Sequence, residues 1–386
     1  MTPGAHVAAK IEVLEAILLG VPAEKALTNW GRGNRFAGSK DRANIRDLVF
    51  QAIRCRRSAG AWPDASSARA WAIGALRANG VDPAQLFTGV GHSPTELKAY
   101  ELKTQAILEL DAWDIQDWTA QELKMFYGDT KAREMAQVLR HRAPISLRAN
   151  LQKTSLAELQ SALARADIIT SVNPICKTAL TVHSNQRRVV LQEAFAKGWF
   201  ELQDAASQAV AAAIPIEGRV LDYCAGGGGK ALALAGRSGA KIFAHDVNLA
   251  RMTDISTRAV RGGHDIEVIL PSALDPMAQF NTVVCDLPCT GSGAWRRSPE
   301  DKWKLKESDL KKYCELQRNI LAKCSQHVAA GGTLALITCS IFQAENQLQR
   351  DFLLKSYPEL SFVMDKQYLP STENDGLYLA IFKKIK

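Results

Sequence analysis

The sequence predicts a chain of three parts: an all-α region, a small α+β unit and a doubly wound α/β domain with a mostly parallel sheet. Three observations carry this prediction. Apolar residues recur at helical spacing through about the first hundred residues, short apolar strands alternate with helices from residue 193 onward, and one of these strands runs into four glycines. Strands that alternate with helices build a parallel sheet. Ligands of such sheets lie beyond the carboxyl ends of the strands.

Length and composition limit the class of protein. The chain has 386 residues, more than one domain usually holds, and its 47% hydrophobic and 23% charged residues are typical of a soluble globular protein. A formal net charge of +8 favours nucleic acid as partner, although a mildly basic cytosolic enzyme has the same balance. We expect neither a secretion signal nor a membrane span, because the N-terminus and the remaining chain lack the required apolar runs.

The cysteines indicate reduced thiols. None of the eight forms a C-x-x-C pair, which argues against a zinc site. Their distribution through apolar segments fits the reducing cytoplasm. We therefore expect a cytoplasmic protein that binds no metal, and we predict that it is a monomer.

The first predicted part, residues 1–135, is helical. Apolar residues at spacings of three and four mark helices over residues 7–18 and 45–53. The connection between them is rich in glycine and arginine and contains Arg35, Lys40 and Arg42. These side chains suit contacts with RNA phosphates, although a solvated loop between helices has the same composition.

The second and third predicted parts contain strands. Residues 136–192 carry a strand over 144–150, a helix over 156–166 and a strand over 179–183, which is a small α+β unit. Residues 193–386 carry strands that alternate with helices. The predicted strands of this third part cover residues 219–223, 242–246, 267–270, 282–286 and 334–339.

A glycine-rich turn follows the first of these strands and precedes a short helix over residues 231–235. Its residues are Cys224, Ala225, Gly226, Gly227, Gly228, Gly229 and Lys230. Glycines let the backbone approach a ligand closely, and Asp246, at the end of the next strand, can accept hydrogen bonds from ribose hydroxyls. The pattern predicts a nucleoside cofactor, but it does not distinguish a nicotinamide cofactor from S-adenosylmethionine.

Two cysteines and a carboxylate follow two other strands. Asp286 and Cys289 come directly after one strand, and Cys339 ends a later one, so both sulfur atoms should face one crevice at the carboxyl edge of the sheet. The segment that follows Cys289 contains Arg296, Arg297 and Trp303. Paired arginines beside tryptophan suit phosphate contact and base stacking, and a solvated basic loop shows the same pattern.

These motifs, in this order, resemble the RNA 5-methylcytosine methyltransferase family of RsmB / NOL1-NOP2-Sun type. The matching segments are residues 198–208, 222–230, 286–293, 296–299, 338–340 with 345–346, and 375–380. The N-terminal helices resemble, more loosely, the NusB-like RNA-binding domain of the bacterial RsmB branch, and the α+β unit resembles an RRM-like pre-domain. One departure is Gly227, which stands where the family usually has proline.

The resemblance implies a Rossmann-like methyltransferase fold, S-adenosylmethionine as cofactor and 16S ribosomal RNA as substrate. It implies that Cys339 is the nucleophile and that Cys289 aids product release, while Asp286 orients the base and touches the cofactor. The chemistry agrees with these roles. Carbon 5 of cytosine is a poor nucleophile until a thiolate adds to carbon 6, and a free thiol, with a pKa near 8.5, is only partly ionised at neutral pH. Lys230 adds a nearby positive charge.

Three other functions stay open at this point. A nicotinamide-dependent oxidoreductase would use the glycine turn and Asp246 but not Cys289 or Cys339. An amino-group methyltransferase would carry an aromatic residue at the position of Cys289. An RNA-binding assembly factor with an inactive site would explain the basic charge and the glycine at position 227.

Overall fold

The computed structural model describes residues 1–61, 65–103, 108–237 and 239–385, which form two compact units. The first unit comprises Met1–Arg142 and Trp295–Lys304, and the second comprises Ala143–Ala294 and Leu305–Lys386. The second unit thus contains most of the second and third parts predicted from the sequence. The segment Trp295–Lys304, by contrast, was expected in the third part and packs in the first unit.

Within the described part of the first unit there are five longer helices. They are α1 (Pro3–Leu18), α2 (Ala23–Gly33), α3 (Ser39–Arg54), α4 (Ala68–Ala78) and α5 (Asp117–Leu139). Helix α1 begins at Pro3, and the hydroxyl of Thr2 accepts a hydrogen bond from Ala5 N. The apolar faces of these helices form one core around Leu14, Val49 and Trp71. Among the described residues, no α-helix combines the length and the apolar character needed to cross a membrane.

A four-stranded antiparallel sheet opens the second unit. Its strands are β1 (Ile145–Ala149), β2 (Thr170–Val172), β3 (Ala179–Val182) and β4 (Phe200–Leu202), in the order β2-β3-β1-β4. The predicted strands over 144–150 and 179–183 correspond to β1 and β3. Strand β4 extends this sheet past residue 192, where the predicted α+β unit ended.

A seven-stranded sheet forms the rest of the second unit. Its strands are β5 (Gly218–Asp222), β6 (Ala240–His245), β7 (Ile266–Ile269), β8 (Phe280–Asp286), β9 (Val328–Thr338), β10 (Leu360–Tyr368) and β11 (Leu377–Lys384). The order is β10-β11-β9-β8-β5-β6-β7. Strands β5 to β9 are parallel, and the last two strands are antiparallel to their neighbours. This confirms the predicted mostly parallel α/β sheet.

The remaining helices connect these strands, apart from one short helix that belongs to the first unit. They are α6 (Leu156–Ala164), α7 (Glu193–Ala196), α8 (Ala205–Ala213), α9 (Gly229–Ala235), α10 (Ile255–Gly262), α11 (Asp301–Lys304, in the first unit), α12 (Glu307–Gln326) and α13 (Gln347–Ser356). Because β9, β8, β5 and β6 are parallel neighbours, their carboxyl ends share one edge of the sheet. The residues that follow these four strands therefore meet there.

Candidate active site

The glycine turn connects β5 to α9 in a backbone conformation that requires glycine at two positions. Gly226 and Gly228 have φ angles of +51° and +79°, which side chains of L-residues rarely adopt. A Cβ atom on Gly226 would lie 2.8 Å from the Arg251 guanidinium, and one on Gly228 would lie 2.8 Å from Ile255 Cγ1. Gly227 has no positive φ and is exposed. The turn is thus closely packed at Gly226 and Gly228, whereas its backbone at Gly227 is open to solvent.

Asp246, the residue after β6, is held against this turn. Its side chain is buried, and its two oxygens accept hydrogen bonds of 2.9 Å from Gly226 N and Asn248 N. The Arg251 guanidinium lies 3.4 Å from the same carboxylate. Each carboxylate oxygen accepts more than one hydrogen bond, so Asp246 can still receive two hydroxyl hydrogens of a ribose. The glycine turn and this acid therefore fit an adenosine-containing cofactor.

A second acid near the turn was not singled out from the sequence. Asp222 ends β5 and is fully buried. Burial, and secondly the negative charge of Asp286, raise the pKa of Asp222 to about 7. Its place at the carboxyl end of the central strand, directly before the turn, was the available signal.

Lys230 and Asp286 form an ion pair at the same edge. Lys230 lies in the first turn of α9, Asp286 ends β8, and the Lys230 Nζ atom is 2.5 Å from Asp286 Oδ2. Burial lowers the pKa of Lys230, but the carboxylate of Asp286 outweighs it, and the net direction is upward. Lys230 thus keeps its charge, and the Asp286 carboxylate, which is 35% exposed, stays available to a ligand.

Cys289 and Cys339 face each other across the ends of β8 and β9. Their sulfur atoms lie 3.4 Å apart, and both side chains are partly buried. The hydrogen bond to Cys339, and after it burial, raise the pKa of the Cys289 thiol well above its ordinary value. Cys289 therefore retains its proton, and either sulfur atom can be the donor in the contact between the two thiols. The structure brings together the two cysteines that the sequence placed in one crevice.

Buried polar side chains fix the loops that carry the two cysteines. The Glu345 carboxylate accepts hydrogen bonds from Thr290 N at 2.9 Å and from Thr290 Oγ1 at 2.6 Å, and it holds the residue next to Cys289. Gln317 Nε2 donates a third bond at 3.1 Å. On the other loop, Asn346 Nδ2 donates to Ser340 O at 2.9 Å. Glu345 is fully buried, and burial raises its pKa.

The two cysteine loops are also bonded to each other. Ser292 Oγ and Ser340 Oγ lie 3.0 Å apart, and Ser292 Oγ accepts a hydrogen bond from Ile341 N. Gly293 N donates to the carbonyl oxygen of Cys339 at 2.9 Å. These hydrogen bonds fix the distance between the two cysteine loops, and none of them involves a sulfur atom. The sequence indicated residues 345 and 346 as family features and gave no sign of this network.

The predicted RNA contacts after Cys289 need correction. Arg296 and Trp303 are only 2% and 7% exposed, because both pack within the first unit. Trp303 Nε1 donates to Ile53 O at 2.6 Å, and the Arg296 carbonyl accepts from Arg54 Nε at 3.0 Å. Side chains enclosed in this way are not placed to stack on a base or to contact a phosphate. Arg297 is exposed, as are the candidates Arg35, Lys40 and Arg42.

Fold and site together define the class of protein. A seven-stranded sheet with a glycine turn after β5, an acid after β6, and a carboxylate with two facing cysteines after β8 and β9 is the arrangement of a Rossmann-like methyltransferase with thiols at its centre. Residues 212–383 match the family model described as 16S rRNA methyltransferase RsmB/F, and residues 116–188 match the ferredoxin-like domain of RsmF/B-like methyltransferases. This part of the chain thus matches the family model of the RsmB/F methyltransferases.

Similar proteins agree with this assignment. Ribosomal RNA small subunit methyltransferase B of Vibrio cholerae is 32% identical over 282 residues, which are 69% of this chain and 64% of the relative. The protein of the same name from Yersinia pestis is 29% identical over 284 residues, 69% of this chain and 66% of that one. The matched segments thus span less than two thirds of these relatives.

Two solved structures share the fold. The crystal structure of PH0851 matches with a TM-score of 0.77 and 20% identity, and the match covers 100% of this chain and 99% of that one. NSun6 from Pyrococcus horikoshii, solved with SFG, matches with a TM-score of 0.61 and 15% identity over 70% of this chain and 98% of that one.

Proposed function

We propose that this chain is an S-adenosylmethionine-dependent enzyme that methylates carbon 5 of a cytosine in 16S ribosomal RNA. The observation that carries the proposal is the 3.4 Å approach of the Cys289 and Cys339 sulfur atoms at the sheet edge that also carries the Lys230–Asp286 ion pair. A nicotinamide-dependent oxidoreductase has no use for this thiol pair. The names of the relatives, small subunit methyltransferase B, support ribosomal RNA as the substrate.

The cofactor would lie over the glycine turn. S-adenosylmethionine, when bound, supplies an electrophilic methyl group. The exposed backbone at Gly227 lets a ligand approach, and Asp246 receives the ribose hydroxyls. Asp286, anchored by Lys230, lies between this turn and Cys339 along the sheet order, because β8 is flanked by β5 and β9. The same carboxylate can thus contact both cofactor and base.

Cys339 acts as the nucleophile in this proposal. Its thiolate adds to carbon 6 of the cytosine while N3 takes up a proton from solvent, and carbon 5 thereby becomes nucleophilic toward the methyl group that S-adenosylmethionine would supply. The Asp286 carboxylate orients the ring through the exocyclic amino group and N3. Water then takes the proton from carbon 5, N3 returns its proton to solvent, and cleavage of the sulfur–carbon bond returns the Cys339 thiolate. Cys289, 3.4 Å from that sulfur, is placed to assist this release.

The base must leave its stack to reach both sulfur atoms. Unstacking costs a few kcal/mol and costs least in loops, so the target cytosine should lie in a loop or bulge of structured RNA. Arg35, Lys40 and Arg42 are exposed on the first unit and suit phosphate contacts. Affinity for RNA should therefore fall steeply with salt. The monomeric state and the cytoplasmic location stay predictions from the sequence.

Methyl transfer to RNA tests the proposal. We expect 16S rRNA transcripts incubated with the protein and methyl-labelled S-adenosylmethionine to yield labelled 5-methylcytidine after digestion to nucleosides. Cys339→Ser should abolish the product. Cys176→Ser, which alters a buried cysteine of the small-sheet region, is the control and should retain it. Label in another nucleoside, or full activity of Cys339→Ser, would contradict the proposal.

A further inference from the structure

The first unit contains a cavity that the proposed reaction does not use. Its volume is about 480 Å³, and all lining residues lie within Met1–Arg142. Sites for small ligands typically measure about 300–1,000 Å³. Gln51 and Arg54 of α3 line it on one side, and Arg140, His141 and Arg142, at and beyond the end of α5, line it on the other. Asp47 contributes the acidic side chain of the lining.

Arg54 is a buried cation that forms no ion pair with the described residues, although the charge of Asp47 acts on it. Its side chain is 9% exposed, and its Nε donates to the carbonyl oxygen of Arg296. Among the residues the structure describes, no carboxylate lies within 4.0 Å of it, whereas neighbouring Arg57 pairs with both Asp111 and Asp117. Burial, and next the charge of Arg142, lower the pKa of Arg54 to about 10. A guanidinium in this state favours an incoming anion.

The opposite wall adds positive charge. The Arg142 guanidinium is 48% exposed and reaches Asp47 only at 3.5 Å, the limit of a hydrogen bond. Arg140 is already neutralised by the buried Asp114, whose Oδ2 is 2.6 Å from Arg140 Nε. His141 lies at the exposed rim of the cavity. Its pKa is lowered chiefly by partial burial and next by the positive charges of Arg140, Arg54 and Arg296. An anion between these groups would relieve their mutual repulsion.

We propose that this cavity binds a backbone phosphate of the substrate RNA, with the guanidinium groups of Arg54 and Arg142 as its charged ligands and the Gln51 amide as a further donor. Guanidinium groups hold phosphate oxygens through two parallel hydrogen bonds. A phosphodiester of a strand is favoured over a free nucleotide, because the lining contains no Phe, Tyr or Trp on which a base could stack. Of its two imidazole rings, His6 is hydrogen-bonded to Asp41 and His141 lies at the exposed rim. The phosphate site rests on the proposed function in one respect, which is that the bound RNA is 16S ribosomal RNA.

Binding of 16S rRNA transcripts to the full chain, measured without cofactor across a series of salt concentrations, tests the inference. One phosphate contact contributes a slope of about 0.7 in log affinity against log salt, so Arg142→Ala should weaken binding about five-fold in 0.1 M salt and flatten the slope by that amount. The control is Arg133→Ala, which removes a side chain that is also 48% exposed but is paired with Glu109. It should leave affinity and slope close to those of the unaltered protein.

A second measurement does not depend on the folding of a variant. Inorganic phosphate added to the unaltered chain should raise the pKa of His141 in an NMR titration, and Arg142→Ala should reduce that response. If phosphate shifts His141 but Arg142→Ala binds RNA normally, the cavity takes free phosphate and the RNA assignment is wrong. If neither response occurs, the site does not exist. Because no methyl transfer is measured, failure of the proposed catalysis would leave both results intact.

Discussion

The substitution Glu345→Gln separates the positioning of the two cysteines from their chemistry. Glu345 touches neither sulfur atom, yet its carboxylate accepts bonds of 2.9 Å and 2.6 Å from Thr290, the residue after Cys289. Glutamine has nearly the same shape, but one of its two acceptors becomes an NH2 donor that faces a donor of Thr290 or Gln317. The Cys289 loop should therefore loosen without loss of any reacting group.

The size of the effect follows from these bonds. Hydrogen bonds to a charged acceptor contribute about 1.5–3 kcal/mol each, and at least one is lost. Glutamine avoids burying a charge, which offsets part of the loss, so the free energy of unfolding should fall by about 1–3 kcal/mol. For a unit of this size, that lowers Tm by about 3–10 °C. Misplacement of Cys289 by a fraction of an ångström should lower kcat by about ten-fold or more.

Thermal unfolding and steady-state methylation of RNA measure the two effects. We expect the KM for RNA to change little, because Glu345 is fully buried and cannot touch the RNA. Glu267→Gln serves as the control, since Glu267 is 51% exposed in the same unit and has Lys241 as its one ion-pair partner among the described residues. A Glu345→Gln protein with unchanged Tm and unchanged kcat would refute the positioning role.

Three further predictions follow from the same unit and from the first unit. Asp246→Asn should weaken binding of S-adenosylhomocysteine by about ten-fold, measured by calorimetry, because it removes a charged acceptor near the ribose. Lys230→Met should lower the single-turnover rate of methylation by about 10²-fold, because Asp286 loses the charge that orients it. Burial lowers the pKa of Lys302 to about 7, so the unfolded chain binds more protons above that pH and stability should rise from pH 7 toward pH 10. Lys302→Met should flatten this rise, by at most about 1.4 kcal/mol per pH unit, in urea unfolding.

The sequence predicted the catalytic sheet because buried parallel strands are continuous apolar runs. Strands β5, β6, β8 and β9 lie where the sequence placed them, with shifts at their ends, and Cys289 and Cys339 meet because parallel strands end at one edge. The sequence did not predict strand β10, because this strand lies at the edge of the sheet and most of its residues are exposed or partly exposed. An edge strand has no continuous apolar run to reveal it.

Contacts between residues far apart in the chain also limited what the sequence could predict. Arg296 and Trp303 look like a basic, RNA-facing loop, and only their contacts with Arg54 and Ile53, more than two hundred residues earlier in the chain, show that they are buried. Likewise, the partner of Glu345 is Thr290, which lies 55 residues away along the chain. Local sequence patterns do not indicate contacts between distant residues. The burial of Arg296 and Trp303 and the contact of Glu345 with Thr290 therefore became visible only in the folded chain.

Covalent trapping of RNA tests the central claim most directly. If Cys339 adds to the base and Cys289 assists its release, Cys289→Ala incubated with 16S rRNA and S-adenosylmethionine should give a protein–RNA adduct that survives a denaturing gel. The adduct should disappear when Cys339→Ser is added to Cys289→Ala. A Cys289→Ala protein that forms no adduct, or an adduct that persists without Cys339, would contradict the assignment of the two sulfur atoms.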